Sequence, residues 1–139
     1  MDLKDAIRKF RKDPNLFVHK VLGATPDEWQ SEVMQAVADG NRGISIRSGH
    51  GVGKTSCLSW LALWWIGTHY HAKVVITAPT AAQLHDALLP EAKSWLKQSP
   101  AGFRERFNVK SDRIELIADP ERNFISAKTS RAEQPDALQ

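Results

Sequence analysis

Ser48-Gly49-His50-Gly51-Val52-Gly53-Lys54-Thr55 lies between a short strand-like run, Gly43 to Arg47 (GISIR), and a segment that is apolar almost all round, with Leu58, Trp60, Leu61, Ala62, Leu63, Trp64, Trp65 and Ile66. A strand, a glycine-rich turn and a buried helix in that order suit a polyphosphate. Glycines without a Cβ let backbone N–H groups close around the β-phosphate, and the helix N-terminus turns its partial positive charge to the anion. Lys54 adds a full charge for the β and γ oxygens, and the Thr55 hydroxyl is the ligand for Mg²⁺. Lys54 and Thr55 are therefore the candidate catalytic residues, and Ser48 to Gly53 form the cradle. Ser48 stands where the strict pattern has glycine, but its small side chain still suits the turn. A plain glycine-rich turn would not account for a Lys-Thr pair opening the helix. The predicted fold is α/β, a P-loop NTPase core with a parallel sheet flanked by helices.

Upstream, Thr25, Pro26 and Glu28 supply an N-cap hydroxyl, a proline at the first helical position and a capping-box acid. A helix is expected from Pro26 to Ala38, burying Trp29, Val33 and Val37 and stopping at Asp39-Gly40-Asn41. On it, Gln30 has an amide able to donate to and accept from an adenine edge, and Trp29 an indole able to cover the ring. The plain alternative is Trp29 in the core and Gln30 at the surface. Before this helix, Leu3, Ile7 and Phe10 recur at helical spacing, and Asp13-Pro14-Asn15 reads as a break. Residues 1–24 are thus a basic helical segment, and residues 25–139 the segment that carries the loop.

Downstream, Lys73 to Thr77 (KVVIT) reads as a strand buried on both faces, ended by Ala78-Pro79-Thr80. A helix begins near Ala81, with a kink or break before Pro90 and a second piece through Trp95 and Leu96. Ser99 to Gly102 reads as a turn. Arg113 to Ile117 and Asn123 to Ala127 read as two strands of a hairpin around Asp119-Pro120.

In this order, Pro26-Asp27-Glu28-Trp29-Gln30, Arg47 to Thr55, and Thr77-Ala78-Pro79-Thr80 with Gln83 resemble the ATPase domain of tailed-phage terminase large subunits, the motors that package viral DNA into a prohead. The resemblance covers residues 20 to 139. It implies an adenine-reading glutamine at Gln30, a Walker A loop at Ser48 to Thr55, and a superfamily 2-like second strand ending at Thr77. It also implies ATP and Mg²⁺ as cofactors. Double-stranded DNA, a terminase small subunit and the portal would be partners of the intact protein, working as a homo-oligomer in the cytoplasm of a bacterial host. The tail with Thr129-Ser130-Arg131 and Gln134 to Gln139 resembles the stretch that precedes the Walker B strand, so the chain corresponds to such a domain truncated before that strand.

The departure lies there. A Walker B element needs an apolar run ending in Asp, usually followed by Glu. Leu116-Ile117-Ala118-Asp119 comes nearest, but Pro120 follows and the hairpin accounts for the segment better. The family's nuclease carboxylates have no counterpart here either. Two other readings therefore stand beside a terminase fragment: a helicase-like ATPase fragment, and a non-catalytic nucleotide-binding or assembly module or inert prophage remnant. Arg47 beside the loop and Arg131 in the tail are candidates for phosphate orientation and for an arginine finger, with packing and solvent exposure as their ordinary roles. His50, His69 and His71 have no acidic or cysteine cluster at metal spacing and are read as non-ligands.

Composition agrees with one globular domain: 139 residues, 42% hydrophobic and 25% charged. One cysteine, Cys57, excludes an intramolecular disulfide and points to a reducing compartment. The apolar run Cys57 to Ile66 is too short for a bilayer, and the charged opening does not read as a secretory leader, so no membrane is expected. The net charge is +3, and residues 1–20 hold all of the excess, with Lys4, Arg8, Lys9, Arg11, Lys12 and Lys20 against Asp2, Asp5 and Asp13. A solvated helix face explains this cluster, with a phosphate-tracking patch as the alternative.

Overall fold

The computed structural model of the chain describes residues 2–41, 53–78 and 84–129. Helix α1 (Leu3–Lys12) is capped by Asp2, whose carboxylate accepts from Asp5 N at 2.9 Å. Ile7 and Phe10 are half-buried, while Leu3 is 66% exposed and leaves the expected stripe at the fraying end. The break at Asp13 lasts one residue. Asp13 accepts from Leu16 N at 3.0 Å and caps α2 (Pro14–Phe17), with Pro14 in the first turn where its missing N–H costs nothing. A π-wound turn, Val18–Leu22, follows and ends at Gly23 in the left-handed region (φ 71°). Periodicity does not reveal this stretch, yet it buries Phe17, Val18 and Leu22 completely.

Helix α3 (Glu28–Ala38) begins two residues later than expected, with Asp27 rather than Thr25 at the N-cap. Its buried residues are Gln30 and Met34, one turn apart, and the expected Trp29, Val33 and Val37 flank them half-buried. It ends as expected at Asp39, with Gly40 at φ 94°. Helix α4 (Lys54–Thr68) is the central element: Cys57, Trp60, Leu63, Trp64 and Ile66 are all buried, on more than one face of the helix. Helix α1 docks on its far end, where Trp64 Nε1 donates to Phe10 O (2.7 Å) and Arg11 Nε to Thr68 O (2.8 Å). A guanidinium at a helix C-terminus meets unpaired carbonyls and the negative end of the dipole. Arg11 thereby serves the fold though it is exposed, and Lys4, Arg8, Lys9, Lys12 and Lys20 are exposed as well.

Strand β1 (Lys73–Ala78) follows α4. A second π-wound turn (Leu84–Leu88) then passes into α5 (Leu89–Lys97), with Pro90 in the first α-helical turn. The expected irregularity before Pro90 is this change of winding, which accommodates a ring that clashes with a regular preceding turn. Ala101–Arg104 forms a short helix, α6, where a turn is expected. Strands β2 (Phe107–Val109), β3 (Arg113–Leu116) and β4 (Phe124–Thr129) complete a sheet that, among the described residues, has four strands in the order β1-β4-β3-β2.

β3 and β4 form the expected hairpin, with Ile114 opposite Ile125. β1 pairs parallel to β4, while β2 and β3 run antiparallel. Among the described residues the architecture is thus a mixed open α/β sheet flanked by helices: the expected parallel pairing is seen for β1 with β4, and the expected hairpin adds antiparallel strands. β1 also departs from burial on both faces: Val75 is 53% exposed, and with Leu58, Leu61 and Trp65 it lines an apolar groove. No described helix is long and apolar enough to cross a membrane. The strand expected at Gly43 to Arg47, the helix start near Ala81, and Thr80 and Gln83 lie outside the described residues.

Candidate functional site

Helices α3 and α4 meet at Gly53, the residue before the Lys54-Thr55 pair. Gly53 has φ 83°, a left-handed conformation that glycine adopts without steric cost. A Cβ built there would lie 2.6 Å from Gln30 Nε2 and 3.7 Å from Trp29 Cζ2. The sequence-predicted pair Trp29 and Gln30 is therefore brought against the loop's last glycine.

Gln30 is 4% exposed, and its amide bridges two backbone groups. Oε1 accepts from Asp27 N (2.8 Å), the return half of a capping box. Nε2 donates to Gly53 O (2.9 Å), which also accepts the first helical bond of α4 from Cys57 N (3.0 Å). The amide orientation is fixed by its partners, because a backbone N–H only donates and a carbonyl only accepts. One hydrogen and one lone pair of the amide remain after these bonds.

Lys54 and Thr55 follow in the first turn of α4, both half-buried. Among the described residues no side chain caps this helix, and leading helical N–H groups are the donors an anion would use. One turn in, Ser56 Oγ donates to Glu91 Oε2 (2.9 Å), which also accepts from Trp95 Nε1 (2.7 Å). Sequence reasoning does not single out this carboxylate beside the first turn. Its signal is the four-residue spacing of Glu91 and Trp95, legible only once Ser56 is known to face them. Cys57 is fully buried, and burial pushes its thiol up to about 11, which removes it as a nucleophile.

Arg47, Ser48, Gly49, His50, Gly51, Val52 and Arg131 lie outside the described residues. Asp119, the nearest approach to a Walker B acid, sits in the β3–β4 connection. It is paired there with Arg122 (3.1 Å) and His71 (3.6 Å), and its carbonyl accepts from Asn123 N. His69 stacks on Trp65 at 3.8 Å. Among the described residues no three His, Cys, Asp or Glu side chains gather as a metal cluster. No protein-family model, curated protein or solved structure matches the chain.

Proposed function

We propose that residues 25–139 form the ATP-binding portion of a P-loop ATPase of the terminase large-subunit type, whose intact form would hydrolyse ATP to drive duplex DNA. The carrying observation is that α4 opens directly with Lys54-Thr55 behind a left-handed Gly53 whose Cβ position is filled by Gln30. Those features fit a phosphate cradle: a side chain at Gly53 would collide with Gln30 and disturb the turn into α4, and the leading N–H groups of that helix are donors suited to an anion. In this role Lys54 neutralises β and γ oxygens and the Thr55 hydroxyl holds Mg²⁺, which supplies further charge stabilisation when bound. DNA, the small subunit, the portal and further copies of the chain belong to the same proposal.

A second reading, nucleotide binding without turnover, is favoured by Asp119. Its carboxylate is paired within a hairpin connection, and no other described strand leads through apolar residues into an Asp. Calorimetric titration with Mg-ATP tests the shared core of both readings. Lys54→Ala is expected to weaken binding at least ~10-fold, equivalent to ~1.4 kcal/mol. Equal affinity in the two proteins would remove the phosphate-loop assignment.

A further inference from the structure

We infer that Gln30 is a positioning residue for the Gly53–Lys54 peptide, so that it serves every polyphosphate ligand alike and not ATP alone. The inference rests on the phosphate-binding reading above and sharpens one residue of it. Gln30 is 4% exposed, and its amide is bonded to backbone at both ends. Its Nε2 holds the Gly53 carbonyl, which is also the acceptor of the first helical bond of α4. Gly53 has φ 83°, and the peptide leaving it carries the N–H of Lys54. Fixing that carbonyl fixes the direction of the N–H on the same peptide plane, the first donor a phosphate would meet. The other end of the amide is anchored on Asp27 N, so the two helix starts are tied together by one side chain. Trp29 packs on the same glycine, so two adjacent side chains of α3 bear on the loop exit.

Gln30→Glu separates the two bonds, since the introduced carboxylate still accepts from Asp27 N but has no hydrogen for Gly53 O. Titrations of wild type and variant with Mg-ATP, Mg-GTP and Mg-tripolyphosphate are expected to show one common loss, about tenfold, for all three. As pH falls from 8 to 5.5 the ratio of wild-type to variant affinity should shrink, because protonation of the introduced carboxyl restores a donor toward Gly53 O. A general loss of structure would give no such recovery. Gln30→Leu fills the same space without either bond and should show the uniform loss with no pH recovery. It carries the test if the acid disturbs packing. A loss confined to ATP would make Gln30 a base reader and overturn the inference, as would unchanged affinities. Should the wild type bind none of the three, the phosphate-loop reading falls, and amide hydrogen exchange at Cys57 decides the rest. Faster exchange in the variant sustains Gln30 as the anchor of the α4 start; equal exchange overturns it.

Discussion

Asn123 is 1% exposed, and its amide joins three elements. Its Oδ1 accepts from Ala72 N (2.8 Å) and its Nδ2 donates to Ile66 O (3.1 Å), so it ties the end of α4 and the entry to β1 to the first residue before β4. Phe124 N donates to Ala72 O beside it (2.8 Å). Removing the amide leaves a buried donor and a buried acceptor without partners, each costing about 1 to 3 kcal/mol. Asn123→Ala is therefore expected to destabilise the chain by about 2 to 6 kcal/mol, read as a lower urea midpoint at unchanged slope. A midpoint equal to wild type would mean that water replaces the amide. Nothing in the sequence marks this residue, whose partners lie 51 and 57 positions away. Lys54 and Thr55 stand out in the sequence because a phosphate site would use those residue types side by side. Gln30 is visible as a chemical possibility, but its bond to Gly53 depends on how α3 crosses α4, which no local pattern encodes.

α4 shows what an element adds. Its all-round apolarity alone marks it as central, and its tryptophans are buried or half-buried accordingly. Its end is less legible. Thr68 Oγ1 donates its single hydrogen to Trp64 O (2.7 Å), so the 3.0 Å contact with His69 Nδ1 requires the proton on the ring nitrogen. Burial, then the charge of Arg11, lower the His69 pKa from 6.5. A folded-state value below the unfolded one means that the unfolded chain binds more protons, so stability rises with pH in this window. The contribution is present above 6.5 and is lost as pH falls through the depressed native value. His69→Phe keeps a ring on Trp65 without titrating. The stability advantage of wild type over this variant should shrink between pH 7.5 and pH 5, measured by urea unfolding at each pH. Parallel curves would assign the acid sensitivity elsewhere. Among the other elements, the hairpin of β3 and β4 is legible from its strand-like runs and turn residues, whereas KVVIT suggests burial on both faces only because it lacks a polar side. Val75 at 53% exposure shows that a β-branched run reports strand and not depth.

At the scale of the whole molecule, strand directions decide what can gather at the start of α4. The parallel sheet expected from the loop holds for β1 with β4, but the antiparallel return through β3 and β2 turns the Asp119 segment into a connection. Sequence order does not show this, since the Walker B and hairpin readings use the same residues. A carboxylate that is to hold Mg²⁺ or orient water must stand at the loop. Asp119 is instead committed to Arg122 and His71, beside the entry to β1 and away from the start of α4 in the chain's connectivity. Loss of one preorganised electrostatic element commonly costs ~10² to 10³ in rate, and here both the metal-side acid and the water-orienting acid lack a candidate in Asp119. Phosphate release from ATP by residues 1–139 is therefore expected to equal that of the Lys54→Ala protein, the control for contaminating ATPases. Robust turnover abolished by that substitution would show that another acid serves the site. The first to test is Glu91, because the fold already joins its carboxylate to Ser56 in the first turn of α4. Glu91→Gln would then abolish turnover if that carboxylate is the missing acid, and leave it intact if its only work is to hold Ser56 and Trp95 together.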